Sequence, residues 1–312
     1  MIVISEDVWS DDFASLQKRY SITHEVDLWN RVEDLKSQLK DAQALVVRNR
    51  TKVTRELMDA APMLRVIARA GVGLDNIDIK AADEKGIAVS AALGINAVAV
   101  AEHTLGLALA LSRDIVGRDA STRTGSWNRA AGREISKKTW GFLGFGATAR
   151  ATANLLSGFS CRLLAYDPFV KDGGVASMAS FDDVISQSEI ISVHLPATVE
   201  TKKIINSKTL GAMKRDAILI SVGRGEVIDE EALELALRNG VIAGAALDVR
   251  EIEPAKDQRF ADLANVILTP HIAGITVESQ DAINKVLVSE IELALQGAPQ
   301  KYAVGAVKQA KR

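Results

Sequence analysis

The sequence predicts two α/β domains, each a parallel sheet covered by helices. Three observations predict it. Short apolar runs alternate with helical patterns from end to end, a glycine-rich turn joins one such run to an alanine-rich helix, and 312 residues suit two domains of roughly 150. In the first part the strand candidates are Ile2–Ser5, Ala44–Val47, Val66–Ala68 and Ala88–Ser90, with amphipathic stretches at Val32–Lys40 and Val53–Ala61 between them. Pro62 follows the second stretch, where a helix should stop. A second series runs through Trp140–Leu143, Arg162–Tyr166, Ile190–Val193, Ala217–Ser221, Gly244–Asp248 and Val266–Leu268. Six strands with helical crossovers match a doubly wound sheet of the Rossmann type. The last pattern, Ser279–Leu295, is one long amphipathic helix, and Gly297 is placed to end it.

Composition narrows the classes. Hydrophobic residues at 47% and charged residues at 25% are those of a folded soluble protein. With 38 Lys+Arg against 40 Asp+Glu there is no electrostatic footprint for nucleic acid or an anionic membrane. The apolar stretch Ala97–Leu111 is interrupted by Glu102, His103 and Thr104, too short and polar to cross a bilayer, and reads as a helix buried between protein layers. The acidic start MIVISEDVWSDDF does not read as a signal peptide. The single cysteine, Cys161, excludes an internal disulfide or a cysteine metal cluster; no metal site is expected, and a reducing cytoplasm is.

The sharpest local signal is Gly141-Phe-Leu-Gly144-Phe-Gly146-Ala-Thr-Ala149, a G-x-G-x-x-A counted from Gly144. Gly144 permits the tight turn, Gly146 leaves room for a pyrophosphate, and Ala149 lets the helix pack on the strand. Asp167 ends the next apolar run, where a carboxylate would hold the adenosine ribose; as the residue before Pro168 it also reads as a turn former, and both readings stand. A carboxylate there would repel a 2′-phosphate, so NAD is expected over NADP.

The chain resembles the D-2-hydroxyacid dehydrogenases, particularly the D-3-phosphoglycerate dehydrogenase branch, from about Ala44 to Gln280. The resemblance is carried by Val47-Arg-Asn-Arg-Thr-Lys-Val-Thr54, Ala68-Arg-Ala-Gly-Val-Gly-Leu-Asp-Asn-Ile-Asp78, Asn96-Ala-Val-Ala-Val-Ala-Glu-His103, the glycine turn, Ser221-Val-Gly-Arg-Gly225, Asp248-Val-Arg-Glu-Ile-Glu-Pro254 and Thr269-Pro-His-Ile-Ala-Gly274. It implies a Rossmann-type cofactor domain at residues 98–281 and a flavodoxin-like substrate domain at 1–97 with 282–312, a cleft between them, and a homodimer. It implies hydride transfer between NAD and a small D-2-hydroxy acid or its keto acid, with 3-phosphoglycerate-like substrates in view. The alternatives are a glyoxylate or hydroxypyruvate reductase, and an NADH-sensing corepressor-like binding protein.

The resemblance also implies the site. Arg224 would hold the substrate carboxylate, Glu253 would pair with His271, and His271 would exchange a proton with the substrate hydroxyl. The chemistry needs these types: His titrates nearest neutrality, a carboxylate beside it favours imidazolium, and Arg gives a permanent charge. Gly71, Val72 and Gly73 would meet the substrate carboxylate through bare N–H groups, a segment that also reads as a plain turn. Apart from the resemblance, Arg48, Asn49 and Arg69 are placed to meet the distal end of a small acid, although Arg48 and Arg50 also read as solvated loop charge. Cofactor contacts would come from Gly144, Phe145, Gly146, Ala147, Thr148, Asp167, His194, Pro196, Thr201, Val222, Gly223, Asp248 and Gly274, besides Arg224 and His271. His194 reads equally as a structural strand-end histidine, and His103 as a packed or interdomain one.

Departures from the family pattern are specific. Ala147 stands where an arginine is usual, Ser221 where an asparagine is common, and Arg250 where an aromatic follows Asp-Val. Two readings of Arg250 stand: a cation favouring a substrate with an extra anionic group, or a side chain pointing to solvent. The chain stops soon after its last long helix, so a serine-sensing regulatory domain is not expected.

Overall fold

A computed structural model describes residues 1–8 and 10–310. The chain divides into two compact units, Met1–Asn96 with Thr276–Arg312, and Ala97–Ile275. The first unit opens with β1 (Ile2–Ile4), α1 (Asp11–Gln17), β2 (Ile22–His24), α2 (Val32–Leu39), β3 (Ala44–Val47), α3 (Arg55–Asp59), β4 (Val66–Arg69), α4 (Ile79–Lys85) and β5 (Ala88–Ala91). The second unit holds α5 (Ala97–Arg113), α6 (Ile115–Arg123), β6 (Thr139–Leu143), α7 (Ala147–Leu155), β7 (Arg162–Tyr166), β8 (Ser177–Met178), α8 (Phe181–Gln187), β9 (Ile190–Val193), α9 (Ser207–Ala212), β10 (Ile218–Ser221), α10 (Glu230–Arg238), β11 (Gly244–Leu247) and β12 (Val266–Leu268). The chain then returns to the first unit with α11 (Val277–Gln296) and β13 (Ala303–Val304).

In the first unit the strand order is β13-β5-β4-β3-β1-β2, parallel except for β13. Its five parallel strands follow the flavodoxin-like order, which reverses direction between β1 and β3. In the second unit the order is β12-β11-β10-β9-β6-β7-β8, parallel throughout and reversing between β6 and β9. This is the Rossmann order with one strand more at the edge. The central strands are buried on both faces, as parallel sheets demand, so they read as continuous apolar runs rather than alternating ones.

The return to the first unit falls between Ile275 and Thr276, six residues earlier than the sequence suggested. The cause is local. Thr276 caps α11 by accepting from the Ser279 N–H at 3.0 Å, and Ser279 Oγ accepts from the Thr276 N–H at 3.0 Å. At the far end Gly297 closes the helix at φ +71°. Between the caps, Ile283, Leu287, Ile291 and Ala294 form one stripe packed with Ile2, Ile4, Val46 and Val66. Burying each of the larger ones is worth about 1.5–3 kcal/mol.

The structure changes the reading of Ala97–Leu111. Within its own unit α5 buries Ala99, Val100, Ala101, Thr104, Leu107 and Ala108, while Val98 stays 60% exposed and Glu102 and Gly106 line the same open side. The helix covers one layer and is not enclosed between two. Three strands escaped the sequence pattern: β2, β8 and β13, each of two or three residues at or next to a sheet edge.

Candidate active site and cofactor turn

The glycine turn sits where the second sheet reverses. Gly144 follows β6 at φ +83°, and a Cβ there would come within 3.1–3.2 Å of the His194 carbonyl group and Leu195, so both conformation and space call for glycine. Gly146 begins α7 with no side-chain cap, and nothing lies within 4 Å of where its Cβ would be. The helix thus starts with open N–H groups and open room in front of them, the donor set a pyrophosphate needs. Ala149 is fully buried against the sheet. Ala147 and Thr148 form the first turn, and Phe145 packs into the core.

Asp167 follows β7, and its two carboxylate oxygens accept from the Phe145 N–H at 2.8 Å and the Phe169 N–H at 2.9 Å. It is therefore a turn former that also ties the glycine turn to the neighbouring strand. Four lone-pair sites on a carboxylate leave two for ribose hydroxyls. His194 directly follows β9, with Nδ1 3.0 Å from Thr148 Oγ1 and Nε2 3.1 Å from Ser192 Oγ. Desolvation pushes its pKa down to about 3, so the ring is neutral. Beyond it, Pro196 is exposed, and the Thr201 hydroxyl is turned inward to the Pro196 carbonyl, bracing the loop.

Arg224, Glu253 and His271 come from three segments that follow β10, β11 and β12. Parallel strands deliver their carboxyl ends to one side of a sheet, which is why residues so distant in sequence converge. His271 Nδ1 lies 2.6 Å from Glu253 Oε2. Burial alone would raise the Glu253 carboxyl. The His271 hydrogen bond, the Arg250 N–H at 3.0 Å, and the charges of His271 and Arg224 outweigh it and hold the group below the usual carboxylate range. Gly223 and Gly225 flank Arg224 where any side chain would strike the Leu195 or Arg250 backbone. The Arg224 guanidinium reaches back to the Gly223 carbonyl at 2.9 Å. Val222 hydrogen-bonds to the Val193 carbonyl, linking this turn to β9.

His271 adopts φ +56°, a left-handed conformation unusual for a side-chain-bearing residue. Asp248 explains how it is held. Its carboxylate has no exposed surface and accepts from Thr269 Oγ1 at 2.6 Å and from the N–H groups of Ile272 and Ala273 at 2.9 Å. His103 on α5 stands 3.1 Å from Thr269 Oγ1 and 3.5 Å from the same carboxylate. Asp248 therefore faces inward and positions the loop from His271 to Gly274; the expectation of a direct cofactor contact does not fit its buried side chain. His103 packs into this brace. Arg250 is corrected too. It forms a two-pronged ion pair with Glu230, both bonds 2.8 Å, and lies over Phe260, with its side chain 12% exposed. It faces neither a substrate nor solvent but fixes the loop that carries Glu253.

In the first unit, Arg48, Asn49, Arg50 and Thr51 turn around one side chain that sequence reasoning missed. Glu6, 2% exposed, accepts all four of their backbone N–H groups at 2.8–3.2 Å. Arg48 is left half-buried and Asn49 exposed. Gly71 sits at φ +139° beneath the Arg69 guanidinium, and its N–H bonds the Arg69 carbonyl at 2.9 Å. The expected nest of bare N–H groups is thus reduced to Val72 and Gly73. No cluster able to hold a metal ion occurs among the described residues.

The model of the D-isomer specific 2-hydroxyacid dehydrogenase NAD-binding domain matches residues 105–273. D-3-phosphoglycerate dehydrogenase of Methanocaldococcus jannaschii is 40% identical over 272 residues, 85% of this chain and 52% of that protein. The chain spans about half the length of the curated relatives it matches. Among solved structures, the TT0316 protein of Thermus thermophilus is 30% identical with TM-score 0.91, covering 97% of this chain and 99% of that one. An NADPH-dependent glyoxylate/hydroxypyruvate reductase of Sinorhizobium meliloti, in complex with NADP and malonate, is 26% identical with TM-score 0.91, covering 100% and 98%. The site and these matches agree: the chain belongs to the D-isomer specific 2-hydroxyacid dehydrogenase family, with the family's NAD-binding domain in its second unit.

Proposed function

We propose that the chain interconverts a small D-2-hydroxy acid and its 2-keto acid with NAD, the second unit holding the cofactor and the first serving the substrate. The observation that carries this is the His271–Glu253 pair, 2.6 Å apart at the strand ends beside Arg224. Glu253 occupies Nδ1, which leaves Nε2 of His271 to meet the substrate oxygen. In reduction His271 starts protonated and gives that proton to the carbonyl oxygen; in oxidation it starts neutral and takes the hydroxyl proton. Glu253 orients the ring and favours imidazolium, and Arg224 offers a permanent charge to the substrate carboxylate. The nicotinamide, when bound, supplies or receives the hydride. Asp167 supports NAD over NADP by repelling a 2′-phosphate.

Similarity to D-3-phosphoglycerate dehydrogenases favours a substrate with a distal anion, for which Arg48 is the candidate partner. A glyoxylate or hydroxypyruvate reductase is the second reading, favoured by the Sinorhizobium structure. We place the protein in the cytoplasm, where its lone thiol Cys161 stays reduced. We assign it a homodimer through the open side of α5 at Val98 and the exposed Ile115 and Val116. No helix among the described residues is long and apolar enough to cross a membrane.

The test is NADH or NADPH oxidation with phosphohydroxypyruvate, hydroxypyruvate, glyoxylate, pyruvate, oxaloacetate and 3-sulfopyruvate. At least one should turn over, with NADH preferred about tenfold or more in kcat/KM. In His271→Ala kcat should fall about 10²–10⁴-fold while NADH affinity stays near that of the parent. Binding of NADH without turnover of any acid would favour a nucleotide-sensing protein instead.

A further inference from the structure

We infer that the Thr148 hydroxyl donates a hydrogen bond to the cofactor's pyrophosphate, with His194 orienting it. Thr148 is the one polar side chain in the turn Gly144–Ala149, whose neighbours are two glycines, two alanines and a phenylalanine. No side chain there can supply the cation that Ala147 replaces.

A count of protons along a hydrogen-bond chain fixes what this hydroxyl has left to give. The indole N–H of Trp140 can only donate, and it donates to Ser192 Oγ at 2.9 Å. Ser192 is fully buried, so its own hydrogen needs an acceptor, and Nε2 of His194 stands 3.1 Å away. A neutral ring that accepts at Nε2 carries its proton on Nδ1. That proton goes to Thr148 Oγ1 at 3.0 Å. Thr148 therefore receives a hydrogen bond and keeps its own hydrogen for another acceptor. Burial of His194 keeps the ring neutral, which leaves Nε2 able to accept, and the Ser192 hydrogen decides which nitrogen carries the proton.

Position supplies the acceptor. Thr148 is the second residue of α7, beside the uncapped N–H groups and the open space before Gly146, and it is partly exposed. A phosphate oxygen drawn to those groups is the ionised acceptor nearest at hand, and a hydroxyl bound to such an oxygen is among the stronger hydrogen bonds. A neutral donor thus stands in for a charged one.

The inference rests on this turn being the pyrophosphate site. The experiment measures dissociation constants of NADH, ADP-ribose, ADP and adenosine for the parent, Thr148→Val and Thr148→Ser, with Tm recorded for each. Thr148→Val should weaken NADH, ADP-ribose and ADP by about tenfold, the size of one lost hydrogen bond to a charged group. Adenosine, which has no phosphate, should be unaffected, and Thr148→Ser should recover most of the loss. If Thr148→Val does not fold, Thr148→Ala reads the same contact. Unchanged NADH affinity in a folded variant overturns the inference, as does an equal loss for adenosine. A parent protein that binds none of the phosphate-bearing ligands would instead sink the reading of the turn itself.

Discussion

Each sheet reverses strand order once, and the two reversals are built with opposite electrostatics. In the second unit, between β6 and β9, the backbone N–H groups at the start of α7 are left open, flanked by glycine and a neutral histidine. In the first unit, between β1 and β3, the corresponding loop has its N–H groups turned inward onto Glu6. One topology thus provides two concentrations of positive backbone dipole. One is left open, and the other is satisfied by the protein's own carboxylate. The second arrangement occupies the backbone N–H groups of Arg48 and Asn49, so a ligand there would have only their side chains to meet. A strand-order reversal marks a place where a ligand can bind, and the polar partners there decide whether backbone or side chains do the binding.

Emptying the filled reversal should have the largest effect. Glu6→Ala leaves up to four N–H groups without their acceptor, and we expect a loss of about 3 kcal/mol in the urea unfolding of the protein, with NADH affinity unchanged. A loss below about 0.5 kcal/mol would mean water replaces the carboxylate freely and the contrast is empty. Filling the open reversal is the mirror experiment. Gly146→Asp adds a helix cap where there is room for one, so Tm should hold or rise, while repulsion should weaken NADH binding by tenfold or more. Calorimetric titration reads this directly, and parental affinity would show that the phosphate sits elsewhere.

The smallest effect is in acid. Burial works to raise the Glu6 carboxyl, and its backbone hydrogen bonds bring it below the usual value. A group depressed in the folded state stabilises above its unfolded pKa, and that contribution disappears as pH falls through the folded value. Stability should therefore drop below about pH 4, and Glu6→Gln should lie lower at neutral pH but fall less steeply in acid. Equal acid slopes for the two proteins would assign the drop to other carboxylates.

Much of this was legible in the sequence, for identifiable reasons. The buried parallel strands announce themselves because both faces are covered, leaving runs such as Ala44–Val47 and Ile190–Val193. The glycine turn is legible because open space before a helix and a left-handed turn each select glycine. Arg224, Glu253 and His271 stand out because their residue types and motif order resemble a known family. The short strands β2, β8 and β13 were not legible, since their pairing depends on neighbours far along the chain. Glu6 binds backbone N–H groups and Asp248 divides its bonds between backbone N–H groups and side chains, and backbone partners leave no signature in the sequence. Arg250 reads as either a substrate cation or a solvated side chain because Glu230, twenty residues earlier, carries no sign of being its counterion.

The placement of α11 bears on how the polypeptide is made. All of Ala97–Ile275 emerges from a ribosome before the helix that completes the first unit exists. Ile2, Ile4 and Val46 must wait through the synthesis of the whole cofactor domain for Ile283, Leu287 and Ile291 to cover them. These strands are made long before they are sealed, and during that interval their apolar face is what a nascent-chain chaperone would meet.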